Sequence, residues 1–202
     1  MKKSLSLLIL LLSFTLGCSQ NNETEIKEVK KGFEQIIGYS QALNVAKIKD
    51  MIYPPIVNNP TEDDDYMKVL KKVPEIFEEM GIKYTIEEKP LHLRISSIAE
   101  LKNGKICMGE YHENAILEFK DKCFMDSFMQ IRKEQGKHVE KLEGNKFRSS
   151  EKKYVVGIKD QYTQNSWKYF NYDLIASQSA STILQNEIIT KANKLKQSFD
   201  QK

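Results

Sequence analysis

Few side chains in this sequence can serve as acids, bases, nucleophiles or metal ligands, and they lie far apart. His92, His112 and His138 stand singly along the chain. General acid–base work needs a group with its pKa near ambient pH and within hydrogen-bond reach of a substrate. An isolated histidine is more often a surface or core residue than such a group. His112-Glu113 opens like a zinc-helix motif, but position 116 is Ile and the segment alternates like a strand, so no metal centre is expected there. Glu62-Asp63-Asp64-Asp65 lacks the alternating oxygens, glycine turn and distal glutamate of a calcium loop. Cys107 and Cys123 have no neighbouring histidine and read as structural thiols rather than nucleophiles. The chain has no G-x-S-x-G elbow, P-loop, G-x-G-x-x-G or C-x-x-C. Motifs therefore assign no catalytic residue, no metal and no cofactor.

The third cysteine, Cys18, sits in a different context. Lys2-Lys3, the apolar run Leu5 to Leu12 and small residues at the end of that run make a secretory signal, too short to span a bilayer as a permanent helix. With a cysteine at the cleavage point, Leu16-Gly17-Cys18 resembles the lipobox of bacterial lipoproteins. That resemblance implies a diacylglycerol on the Cys18 thiol, which becomes the first residue of the mature chain. Two or more acyl chains, at about 0.8 kcal/mol per buried methylene, would hold the protein on a membrane where a single chain binds only reversibly. Ser19 rather than aspartate after the cysteine implies an outer-membrane destination over an inner-membrane one in a Gram-negative envelope.

Cleavage before Cys18 removes Lys2 and Lys3, leaving 29 basic residues against 28 acidic ones, so the mature chain is near neutral. No basic tract remains to concentrate phosphate contacts, and nucleic acid is not an expected partner. Residues 18–24 read as a polar, lipidated tether and residues 25–202 as one domain, since no repeat or Pro- or Gly-rich linker divides them. Cys107 and Cys123 are an isolated pair in an oxidising compartment. A disulfide and two free thiols both remain open, because sequence does not supply the distance between them.

The elements that must position any site follow from periodicity. Ile26, Val29, Phe33, Ile36, Ile37 and Leu43 form a helical stripe, and Asn44 caps a short helix through Ile52 that stops at Pro54-Pro55, with a loop from Ile56 to Pro60. Thr61 and the acidic run start a further helix whose stripe is Tyr66, Val69, Leu70, Val73 and Phe77, kinked by Pro74 and capped by Gly81. The period then becomes alternating: Ile82 to Glu87, Leu91 to Ser96, and a long strand from Lys105 to Phe119 after an Asn103-Gly104 turn, with a bulge at Gly109. A helix around Phe124 to Gln135 interrupts the sheet. Strands over Phe147 to Lys159 and Ser166 to Tyr172 follow, and Leu184, Ile188, Ala192, Leu195 and Phe199 close the chain with a helix that faces the core or a partner. The fold class is α+β: N-terminal helices packed on a curved antiparallel sheet, cone-like, with a C-terminal helix.

This element order, the Asn103-Gly104 hairpin, and Tyr154-Val155-Val156-Gly157-Ile158 followed by Ser166-Trp167-Lys168-Tyr169-Phe170 resemble the nuclear transport factor 2-like, or SnoaL-like, superfamily over roughly residues 25–172. The resemblance implies a pocket between sheet and helices, lined by Tyr84, Tyr111, His112 and Trp167, although the same aromatics also suit a packed core. Two functions follow as expectations. One is a membrane-anchored envelope module, without catalysis, that binds a small apolar ligand or an envelope protein. The other is a SnoaL-like acid–base enzyme of isomerase, cyclase or hydratase type, using His112 or a carboxylate.

Overall fold

The computed structural model describes residues 23–58, 66–87, 91–177 and 180–201, with side chains described from residue 70 onward in the second of these stretches. Cys18 and the acidic run Glu62 to Asp65 lie outside the described residues. Helix α1 (23–41) already includes residues 23 and 24, which sequence reading assigned to the tether. Its stripe is buried at Val29, Phe33, Ile36 and Ile37, while Ile26 and Leu43 at its two ends remain exposed. Leu43 takes a positive φ of 50°, turning the chain into α2 (Val45–Met51), and the Asn44 side chain caps α2 by accepting from the Lys47 amide at 3.2 Å. Pro54-Pro55 does more than end a helix: it starts the one-turn α3 (Pro54–Val57), where a missing N–H costs nothing because first-turn amides have no intrahelical acceptor. Helix α4 (Tyr66–Glu79) contains Pro74, and Gly81 follows it.

The sheet has β1 (Ile82–Ile86), β2 (Arg94–Ile95), β3 (Ala99–Leu101), β4 (Gly104–Phe119), β5 (His138–Lys141), β6 (Lys146–Asp160) and β7 (Lys168–Asn171). Two long strands, β4 and β6, form an antiparallel ribbon from Gly104 opposite Asp160 to Glu118 opposite Lys146. The outer edge of β4 carries β3, β2 and β1 in turn, and the outer edge of β6 carries β7 and then β5. The sheet is curved and unclosed, with helices at both ends of the chain, as expected for α+β. Helix α5 (Lys122–Glu134) lies between β4 and β5. A one-turn α6 (Ala180–Ile183) precedes the closing α7 (Asn186–Asp200).

Four local expectations change. The β3–β4 turn consists of Lys102 and Asn103, with Gly104 already paired to Leu101 and neither Asn103 nor Gly104 at positive φ. Glycine is required at 104 because a Cβ there would run into the Lys159 carbonyl oxygen and the Asp160 side chain. At Gly109 the ribbon continues without a bulge, pairing with Val155, and the missing side chain makes room for Phe33 of α1. Strand β5 carries a single apolar residue, Val139, and was missed for that reason. The strand expected over Leu91 to Ser96 contracts to Arg94–Ile95.

The core is divided. The larger cluster joins α1 to α3, the Gly104 half of the ribbon, β7 and α7. A smaller one gathers Ile82, Leu117, Phe119, Met125 and Phe147 under α5. Ile188, Ala192, Leu195 and Phe199 of α7 are all buried in the larger cluster, so the closing helix turns its apolar stripe into the chain; Leu184, expected on the same helix, is buried there too but lies just before its start.

Candidate functional site

Alternation along β4 sends Tyr111, Glu113, Ala115, Leu117 and Phe119 to one face, and the antiparallel register sets Lys153 opposite Tyr111, Glu151 opposite Glu113 and Ser149 opposite Ala115. This face is the floor of a cavity of about 1210 Å³ between the two core clusters. Ile36 and Ile37 of α1 form one wall, Val73 and Phe77 of α4 another, and Phe128 and Arg132 of α5 a third. Ligand pockets usually enclose about 300–1,000 Å³, so this one is large, and most of the side chains that line it are apolar.

Charged groups gather on one part of the floor. Arg132 Nη2 donates to Ser149 Oγ at 3.0 Å and to Glu151 Oε2 at 3.1 Å. Lys153 Nζ lies 3.4 Å from Glu151 Oε2, and Lys137 Nζ donates to Glu151 Oε1. Burial pushes the Glu151 carboxyl up, but the Lys137 hydrogen bond and the charges of Lys153 and Lys137, with the Arg132 hydrogen bond, more than offset it and hold the group below its ordinary value. Glu113 accepts from the Tyr84 hydroxyl at 3.2 Å, and the Tyr84 ring stacks on Phe77 with centroids 5.3 Å apart. Burial, then the nearby Glu113 charge, raises both Tyr84 and Tyr111, so both phenols stay protonated and can donate hydrogen bonds.

Of the four aromatic and histidine residues assigned to a pocket, the structure brings two there. Tyr111 is buried in the floor and Tyr84 keeps 38% of its surface exposed beside it. His112 is turned to the opposite face, exposed and paired in register with Lys152, because it follows Tyr111 by one residue in a strand. Trp167 is buried in the larger core cluster under Lys159, whose Nζ lies 5.9 Å from the ring centroid. No histidine lines the cavity among the described residues; His92 and His138 are exposed.

Cys107 and Cys123 are free thiols, so the disulfide considered from sequence is not formed. Cys107 is buried in β4, where Ser96 contacts its sulfur at 3.6 Å and burial pushes the thiol up to about 11. Cys123 is exposed on α5, beyond the far end of the same strand. The run of β4 from Cys107 to Phe119, at about 3.3 Å per residue, places roughly 40 Å of contour between the two regions.

Sequence reasoning missed Glu113, Arg132, Ser149, Glu151 and Lys153. The usable signal was polarity at inward positions: Ser149, Glu151 and Lys153 continue the period that holds Val155 in the core, which asks for a partner inside. Comparison with protein-family models, with characterised proteins and with solved structures finds no match to this chain.

Proposed function

We propose that this protein is a lipid-anchored cell-envelope module whose sheet-and-helix domain binds a small, largely apolar molecule in the cavity over β4 and β6. The observation that carries the binding reading is the cavity itself: an apolar enclosure with a few convergent polar groups is the common form of a small-molecule site. Lys2-Lys3, the apolar run and Leu16-Gly17-Cys18 support the anchor. The resemblance to the nuclear transport factor 2-like superfamily, which implies a pocket between sheet and helices, supports the same reading. Acid–base catalysis by His112 has no geometric support, since that side chain lies across the sheet from the cavity.

Two measurements test the reading. Radiolabelled palmitate supplied to an expressing bacterium is expected in the full chain and is lost in Cys18→Ala; label that persists in the variant overturns the anchor. For the cavity, the full chain in phosphatidylcholine nanodiscs is exposed to a diazirine-bearing alkane and digested for mass spectrometry. Label is expected on peptides from α4, β4 and β6. Label confined to exposed helix surfaces overturns the binding reading.

A further inference from the structure

Three cations converge on one carboxylate in the cavity floor. Arg132 and Lys137 donate to Glu151, and Lys153 reaches it at 3.4 Å, while the Glu151 side chain is only 14% exposed. The facing Glu113 is held by the Tyr84 hydroxyl, and Asp173, 71% exposed, meets Lys153 at 4.0 Å, so neither lies as close to these cations as Glu151 does. An excess of one positive charge belongs to this inner cluster alone, Arg132, Lys137 and Lys153 against Glu113 and Glu151; toward solvent the cavity lining adds Glu78, Glu118 and Asp173 against Lys83 and Lys120. Arg132 and Lys153 themselves line the cavity, with the apolar walls of α1 and α4 beyond them.

From this arrangement we infer that the cavity's ligand is an anionic amphiphile: a carboxylate or phosphate head shared by Arg132 and Lys153, and an alkyl or aromatic body lying on the apolar walls. The inference rests on the ligand-binding reading above and names the class of its ligand. A guanidinium offers paired donors to planar or tetrahedral oxyanions, and a lysine adds a mobile point charge. Both side chains are a quarter exposed or less, so their charges are poorly screened and favour an anion over a neutral head of the same length. Glu151 competes with the ligand for these donors. It keeps the cations folded inward in the free protein and limits affinity for the anion.

The test compares four diazirine probes with one chain length on the full protein in neutral phosphatidylcholine nanodiscs: hexadecanoate, hexadecyl phosphate, hexadecanol and hexadecylamine. Competition with the unlabelled compounds is expected to show at least one anion binding the cavity tenfold or more above the alcohol and the amine; the tighter anion assigns carboxylate or phosphate. Lys153→Gln is expected to cut that preference severalfold, and Glu151→Gln to raise it, opposite signs that general unfolding would not produce. Circular dichroism on each variant confirms the fold. Equal binding of the alcohol or amine, or the same direction of change in both folded variants, overturns the anionic head while leaving the apolar site intact. Failure of all four probes to label β4 and β6 overturns the binding reading along with it.

Discussion

The β4–β6 ribbon is built differently along its length. Its Gly104 half is covered on both faces, by α1 on one and by α7 on the other, and Ile106, Cys107, Met108, Val156 and Ile158 there have no solvent exposure. Among the described residues its Phe119 half has helices, α4 and α5, on one face only, and they stand off far enough to leave the cavity, while His112 and Lys152 on the other face meet solvent. The first half concentrates contacts and the second conserves space. A chain can keep apolar side chains apart around a cavity only where another region supplies the burial that stabilises the fold, because stability is a small margin between large terms.

The sharpest way to break this comparison is to remove mass from the filled half. Phe33 is fully buried, lies edge-on to Tyr169 with centroids 5.3 Å apart, and covers Gly109 and Gly157 of adjacent strands. Phe33→Ala is expected to cost about 3–5 kcal/mol, the range for large-to-small changes in a packed core. Urea denaturation measures it, and a cost below about 1 kcal/mol would mean that this half is as loosely filled as the other. Adding mass there should also hurt. A Cβ at Gly109 would sit 3.0 Å from Leu93, 3.1 Å from Phe33 and 3.2 Å from Val155, so Gly109→Ala is expected to lose about 1–3 kcal/mol by overpacking in the same assay.

These two residues also show what was legible in advance. Phe33 lies on a helical stripe, and its burial follows from periodicity alone. Gly109 was recognisable as special, but the cause is a tertiary neighbour, the Phe33 ring, rather than the local bulge that strand glycines often mark. The site divides in the same manner. Tyr84 and Tyr111 follow from aromatic residues on strands, while His112 fails by one residue of register, which reverses its face. Arg132 comes from a helix distant in sequence from the strands it meets, and no local pattern joins it to Ser149 and Glu151.

The hollow half should accept mass that the filled half rejects. Val73 is half-buried on α4 and faces the cavity, so Val73→Phe is expected to shift stability by less than about 1 kcal/mol while weakening capture of an apolar probe several fold. Thermal melting and probe labelling, measured together, separate the two effects. A large loss of stability with unchanged labelling would show that α4 is packed rather than spaced.

The smallest effects concern acid, and they set one carboxylate from each half against the other. Glu25 at the start of α1 reaches Lys105 at 2.6 Å and Lys159 at 3.2 Å; burial pushes it up, but the hydrogen bonds and charges of Lys105 and Lys159 bring it below its ordinary value. Glu151 is lowered in the same direction by its own three cations. For a carboxyl with a depressed folded pKa, the stabilising contribution is complete above the unfolded value, about 4.3, and is lost as pH falls through the folded value. Glu25→Gln and Glu151→Gln are therefore both expected to lower stability at neutral pH and to flatten its fall below about pH 4, as read by denaturation at stepped pH. The halves separate in a second readout. Glu25 only ties α1 to the sheet, so its replacement should leave ligand preference unchanged. Glu151 shares its cations with the cavity, and its replacement should alter the preference for anions. An equal effect of both variants on ligand preference would mean that the two halves act as one electrostatic unit, and the division of the ribbon into a structural and a binding half would fail.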